Sequence, residues 1–242
     1  MYRDTKIIVE RIESWLEEQI IAAGAKGGVV GISGGVDSAV VAVLLKRVFG
    51  DNMLSVIMPC ESLHSDVEHA ELLARTFSLP CITVDLEPAF KGLLSALPSN
   101  MNIIPVARAN IKPRLRMTTL YLLGQQHGYL VCGTGNKVEI TVGYFTKYGD
   151  GGADLLPLGD LLKGEVRNVA KFLGVPEEIV NKTPSAGLWE GQTDEGEMGV
   201  TYDALDRYLA LGEGDERVAK FIEEARRRTE HKRLPPPICQ IG

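Results

Sequence analysis

The sequence has no run of the roughly 18 to 20 consecutive apolar residues that a membrane-spanning helix needs. Its opening, MYRDTKIIVERIESWLEEQ, is charged and amphipathic rather than leader-like. A cytoplasmic location with no membrane partner is expected. Cysteine is sparse: Cys60, Cys81, Cys132 and Cys239 lie far apart, without a CxxC pair or a histidine at ligand spacing. This excludes a zinc module or redox pair and predicts reduced, mostly buried thiols. A basic excess is also missing, since 26 Lys+Arg face 32 Asp+Glu for a net charge of -6. That balance argues against a nucleic-acid partner, whose phosphates a basic face would neutralise, but not against a small anionic ligand. Internal repeats and low-complexity segments are absent. The remaining composition, 45% hydrophobic and 24% charged over 242 residues, is that of a globular chain able to bury one large core, so one domain over residues 1–242 is expected.

What is present is an alternation of periods. Ile8, Ile12, Trp15, Leu16 and Ile20 recur at helical spacing, so the chain opens with an amphipathic helix. Gly28 to Ile32, Leu54 to Met58, Ile82 to Leu86 and Tyr129 to Cys132 read as short strands. Between them lie helical patterns at Asp37 to Lys46, Ser65 to Phe77 and Arg114 to Gln125. Strand and helix in turn predict an α/β fold, a doubly wound and mostly parallel sheet with helices on both faces. Beyond residue 140 the pattern predicts a glycine-rich loop over Gly143 to Asp154 and a helix from a capping Asp160 to Leu173, stopped by Gly174. A polar stretch over Lys182 to Gly199, helices at Thr201 to Leu211 and Glu216 to Arg228, and an extended tail LPPPICQIG complete the chain.

The strongest local signal is SGGVDS, Ser33 to Ser38, at the exit of the first strand and the start of a helix. Unpaired backbone N–H groups and the helix dipole make such a place an anion seat, and glycines let phosphate oxygens come close. Gly34 and Gly35 would allow that approach, and Ser33 and Ser38 would add hydroxyl donors. It is not a Walker A loop, because no GxxxxGK[ST] occurs in the chain. Asp37 inside the loop would repel phosphate unless a divalent cation lay between them, which implies magnesium. A plain glycine turn with Asp37 as a helix cap is the alternative.

Ser-Gly-Gly-x-Asp-Ser after the first strand resembles the pyrophosphate loop of the N-type ATP pyrophosphatases. Five more segments resemble one branch of them, the ammonia-dependent NAD synthetases: ARANIKPRLRM, GTGNKVE, YFTKYGDGGADLLPLGDLLK, KTPSAGLWEGQTDE and HKRLPPP, in family order. The resemblance implies an adenine nucleotide alpha hydrolase-like fold. It implies ATP-dependent amidation of deamido-NAD by ammonia through an adenylated intermediate, giving NAD, AMP and pyrophosphate. It also implies a homodimer with the acceptor near the subunit interface. Members that use glutamine carry a further nitrilase-type domain for which 242 residues leave no room, so free ammonia is the expected nitrogen donor.

Residue by residue, the resemblance places Gly31, Ser33, Gly34, Gly35, Asp37, Ser38, Thr134, Lys163 and Ser185 on ATP, and Asp37 with Glu139 on magnesium. It places Asn110, Arg114, Tyr144, Lys147, Asp150, Asp154, His231 and Lys232 on deamido-NAD. Asp37, Lys163, Lys182, Asp150 and Asp154 form the expected catalytic set, with Asp150 or Asp154 as base for ammonia. Glu139 follows the turn after a buried strand, so its carboxylate should emerge at the carboxyl edge of the sheet, where open α/β folds bind ligands. Lys163 in the first turn of a helix is badly placed for a cation unless it meets an anion. Plainer roles stay open: a turn hydroxyl for Thr134, a core aromatic for Tyr144, solvated positions for Arg114, His231 and Lys232. The sequence departs from many bacterial relatives in carrying Ser185 where they have threonine and Gly187 where they have aspartate. Two other functions fit the loop: adenylation of a tRNA base or purine nucleotide, and a sensor that holds ATP without using it.

Overall fold

The structure, a computed structural model, describes residues 1–185, 191 and 193–241. Helix α1 (Thr5–Ala22) is capped by Asp4, whose carboxylate accepts the Ile7 N–H at 3.0 Å. Strand β1 (Gly27–Gly31) leads into α2 (Val36–Phe49), then come β2 (Met53–Ile57), α3 (His64–Thr76) and β3 (Cys81–Thr83). Helices α4 (Glu87–Ser95), α5 (Pro105–Ala109) and α6 (Ile111–His127) precede β4 (Tyr129–Val131). The C-terminal part carries α7 (Lys137–Val142), α8 (Lys163–Phe172), α9 (Glu177–Val180), α10 (Asp194–Met198), α11 (Tyr202–Leu211) and α12 (Glu216–Arg228), followed by a 3-10 turn at Glu230–Lys232.

The four strands are parallel in the order β3-β2-β1-β4, with Val29 opposite Leu54 on one side and Val131 on the other. A parallel bridge between Cys132 and Leu155 extends the β4 edge. Central β1 and β2 are buried on both faces, which explains why their sequences are apolar without alternation. Helices α1, α2 and α8 close one face around Leu16, Leu44, Leu45 and Val169. Helices α4 and α6 close the other, around Phe90. Because α2 is sandwiched between the sheet and two further helices, it is apolar nearly all round. A third cluster, centred on Tyr202 and Leu205, binds α7, α11 and α12 together beside the carboxyl edge of the sheet.

The doubly wound reading therefore holds, with corrections at the boundaries. The third strand ends at Thr83 rather than Leu86, because Asp85 accepts the Glu87 N–H and Pro88 presets a helix. The helix expected from Asp160 starts at Lys163, and Asp160 caps nothing there. Its carboxylate pairs with Arg3 at 2.7 Å and Lys137 at 3.0 Å. The polar stretch 182–199 contains α10, and α4, α5 and α7 had no counterpart in the periodic pattern. Cys60 and Cys132 are buried thiols, Cys81 is half-buried and Cys239 is exposed, so burial is less complete than expected. Among the described residues no helix is long and apolar enough to cross a membrane.

Candidate active site

Beyond the carboxyl ends of β1, β2 and β4 opens a cavity of about 1080 Å³, at the upper limit for a single small ligand. The loop from Gly31 to Gly35 forms its floor. Gly35 is the N-cap of α2 and offers no side chain, so the first N–H groups of α2 lack a side-chain cap. Gly34 has φ +76° and packs directly beneath α3: a Cβ there would lie 2.3 Å from the Asp66 carbonyl oxygen. Ser38 departs from expectation. Its buried hydroxyl accepts the Ser33 N–H at 3.1 Å and donates to the Gly35 carbonyl at 3.0 Å, so it shapes the loop rather than presenting a donor.

Asp37, in the first turn of α2, and Glu139, in the first turn of α7, converge on one nitrogen. Lys163 Nζ lies 2.5 Å from Asp37 Oδ2 and 3.5 Å from Glu139 Oε1, with its side chain only 2% exposed. The sequence explains how each is held. Asn136 and Glu139 form a capping box at the start of α7, each side chain meeting the other's backbone N–H at 3.1 Å. The remaining polar atom of the fully buried Asn136, Nδ2, donates to Asp37 Oδ1 at 3.0 Å. Tyr202 OH lies 3.3 Å from Glu139 Oε1 and 2.9 Å from Asp194 Oδ2, while its ring sits 4.9 Å from Lys163 Nζ. Burial pushes the Glu139 carboxyl up to about 7, assisted by Asp37 and opposed by Lys163. Burial alone would lower the Lys163 ammonium, but Asp37 and Glu139 outweigh it and hold lysine above its ordinary value. The lysine stays charged, and the two carboxylates contest one cation.

Lys163 owes its position to the start of α8. The N-cap is Leu162, which has no acceptor, so the cap comes from elsewhere in the fold. Asp206 of α11 accepts the N–H of Lys163 at 3.0 Å and of Gly164 at 2.7 Å. Glu165 accepts the Leu162 N–H and is gripped by Arg3.

The other expected residues separate into groups. Lys182 reaches the Ser33–Ser38 loop, donating to the Gly34 carbonyl at 3.2 Å while paired with Asp66 at 2.6 Å. Thr134 and Ser185 line the cavity, as do Arg114 and Asn110. The Asn110 side-chain oxygen Oδ1 accepts the Thr146 hydroxyl at 2.8 Å, and Thr146 N–H meets Asp150 at 2.9 Å. Asp150 is exposed at the cavity wall on one side; crowding on the other raises its carboxyl above the ordinary range, against the Thr146 N–H. Arg114 is exposed and donates to the Lys147 carbonyl, and Lys147 in turn donates to the carbonyl of His231. Lys232 is no solvated helix end: it donates to the carbonyls of Gly143 at 2.8 Å and Phe145 at 2.6 Å, tying the glycine loop. Tyr144, half-buried on the wall, donates to Glu197 at 2.8 Å. Asp154 is placed differently from expectation. It is not part of the cavity wall, and its oxygens accept the Val131 N–H at 2.8 Å and the Tyr121 hydroxyl at 3.0 Å. Gly187 lies outside the described residues.

Sequence reasoning passed over Asn136, Asp194, Tyr202, Asp206 and Arg116. Arg116 lies deeper than Arg114 and donates to the Met58 carbonyl and Ser62 hydroxyl, both at 3.2 Å. For Asn136 a signal existed, the N-x-x-E spacing of a capping box.

A family model described as NAD synthase matches residues 8–236. The chain belongs to the NAD synthase family. Within this family, it is 50% identical over 234 residues to the NH(3)-dependent NAD(+) synthetase of Carboxydothermus hydrogenoformans, covering 96% of each chain. Among solved structures it is similar to an NMN synthetase from Francisella tularensis, with TM-score 0.94 and 36% identity over 99% of this chain and 100% of that one. It is also similar to an NH3-dependent NAD synthetase from Campylobacter jejuni, with TM-score 0.81 and 27% identity over 99% and 100%. The fold of these two synthetase structures is thus the fold of this chain.

Proposed function

We propose that residues 1–242 form one synthetase domain that amidates the nicotinate carboxylate of deamido-NAD with free ammonia, consuming ATP and releasing AMP and pyrophosphate. The observation that carries this reading is the convergence of Asp37 and Glu139 beside the open start of α2. A carboxylate cannot expel oxide, so its oxygen must first attack the α-phosphorus of ATP. Pyrophosphate leaves and an acyl adenylate remains. Ammonia then adds to the acyl carbon and AMP departs.

Asp37 and Glu139 against the single ammonium of Lys163 leave an excess of negative charge at this end of the cavity, a donor pair that suits a hard cation. Among the described residues no three His, Cys, Asp or Glu side chains form a metal site by themselves, which fits a cation shared with a ligand's phosphate oxygens. Asp37 and Glu139 would hold magnesium, which supplies charge neutralisation for the departing pyrophosphate. The chain's own contribution is a preorganised positive rim. The α2 N–H groups face the phosphates, Lys163 stays protonated beside them, and Lys182 is tethered to the Gly34 carbonyl. Arg114, Lys147 and His231, joined by backbone contacts, offer a second anion-binding wall for the acceptor.

A second reading concerns the acceptor alone: the neighbour with TM-score 0.94 is an NMN synthetase, which favours a mononucleotide carrying the same carboxylate. Exposed Leu93, Met101, Ile104, Val106 and Leu122 on α4 to α6 support a homodimer packed along that side. The test is AMP release by purified protein given ATP, magnesium and ammonium with either acceptor. Higher kcat/KM with deamido-NAD supports the first reading and higher kcat/KM with the mononucleotide the second. ADP as product, or no release with either, refutes both.

A further inference from the structure

The nitrogen donor is almost wholly ammonium at neutral pH, so a carboxylate that captures the ion and takes one of its protons would deliver ammonia, with its lone pair free, to the acyl carbon. Asp194 offers a place. Its side chain belongs to the cavity lining, and the residue is only 5% exposed. One carboxylate oxygen, Oδ2, accepts from Tyr202 OH, and the Tyr144 hydroxyl, which donates to Glu197, stands beside the carboxylate; Oδ1 is buried with no hydrogen-bond partner among the described residues. A buried carboxylate oxygen without a donor is unfavourable, so the arrangement is incomplete until an N–H or O–H group arrives. Asp194 is not a third ligand of the metal-directed pair, since no such group of three exists among the described residues.

Its location fits the second half of the reaction. Through Tyr202 OH it is joined to Glu139 and hence to the ATP end of the cavity. One helical turn on, Glu197 accepts from Tyr144, a residue of the cavity wall that the resemblance assigns to deamido-NAD. The acyl carbon that links the two ligands must lie between those ends. The Asp194 N–H is anchored on the Pro184 carbonyl at 3.0 Å, so the carboxylate stands on a fixed base.

We infer that Asp194 Oδ1 is the seat of the ammonium ion, binding it by a charge-assisted hydrogen bond between the adenylating end and the acceptor end. The inference deepens the amidation reading and rests on it. Asp194→Asn keeps the size of the side chain and an acceptor for Tyr202 but removes the charge. The KM for ammonium should rise by about 10- to 100-fold, the loss of one charge-assisted bond. Exchange of labelled pyrophosphate into ATP, which needs acceptor but no ammonium, should be unchanged. Hydroxylamine, neutral at the same pH, should still be used as nucleophile. An unchanged KM for ammonium, loss of the exchange, or a rise with Asp150→Asn but not Asp194→Asn overturns the assignment. For a readout free of variant folding, crystals of the unaltered protein soaked in thallium(I), a cation of ammonium's size, should show an anomalous peak in contact with Oδ1; an empty position there overturns it. Failure of the unaltered protein to release AMP with any acceptor would instead refute the amidation reading itself.

Discussion

Replacing Asp206 with alanine should unsettle the catalytic end of the molecule from a distance. The residue is fully buried and accepts two backbone N–H groups at the start of α8, where Leu162 has nothing to offer, and also receives the Tyr2 hydroxyl at 3.2 Å. An ordinary exposed cap such as Asp215, which accepts the Val218 N–H at 2.8 Å, contributes about 1 kcal/mol. Two bonds to a buried carboxylate, whose loss strands both donors away from water, are worth about 3 kcal/mol together. For a chain of this size that corresponds to a fall in Tm of roughly 6 to 12 °C. Thermal unfolding followed by circular dichroism measures it, with Asp215→Ala as the comparison. Because Lys163 is the first residue of α8, kcat should fall along with Tm. Asp206→Asn, keeping one acceptor, should lie between the two. A Tm for Asp206→Ala no lower than that of Asp215→Ala would refute the reasoning.

Gly34→Ala places a methyl 2.3 Å from a carbonyl at φ +76°, which combines left-handed strain with overpacking and should cost about 2 to 5 kcal/mol. ATP binding, read by calorimetry, should be lost with it. Gly212→Ala, in the left-handed α region at φ +70° with open space around the new methyl, should cost only the strain of about 1 to 2 kcal/mol; equal effects at both positions would contradict this. Glu139 gives a pH signature. Its carboxyl stands at about 7 in the folded chain against an ordinary 4.5, so the folded state holds the proton more tightly between those values. That contribution to stability is complete below about 4.5 and is lost as pH rises to about 7. Glu139→Gln, neutral throughout and still able to accept the Asn136 N–H, should therefore gain in Tm relative to the unaltered protein as the pH of divalent-free melts is raised across that window. Parallel curves would count against it.

The sheet and the glycine loop that opens α2 were legible because both depend on local pattern. An apolar run such as that of α2 has few places to go except between a sheet and other helices, and SGGVDS announces itself by sitting where a strand ends. Glu139 and Lys163 were found as residues but not as a cluster. Their meeting depends on Asn136, Tyr202 and Asp206, polar residues whose bonds to Asp37, Glu139 and Lys163 span 99, 63 and 43 positions. The Asn136 cap was visible in N-x-x-E, whereas its second bond to Asp37 was not, since periodicity says nothing about a side chain's spare donor. Asp160 misled because an acidic residue before a helix is usually its cap; here Arg3 and Lys137 claim it and a buried aspartate from another helix does the capping. The five-residue α10 is too short for its period to register in sequence.

The central claim is that Asp37 and Glu139 serve one cation beside the phosphates of ATP. Anomalous diffraction from crystals grown with ATP and manganese, standing in for magnesium, tests it most directly. The account predicts one peak in contact with both carboxylates and a phosphate oxygen, with Lys163 Nζ turned to the nucleotide. A manganese peak away from either carboxylate, or Lys163 still lodged between them with ATP bound, would contradict it.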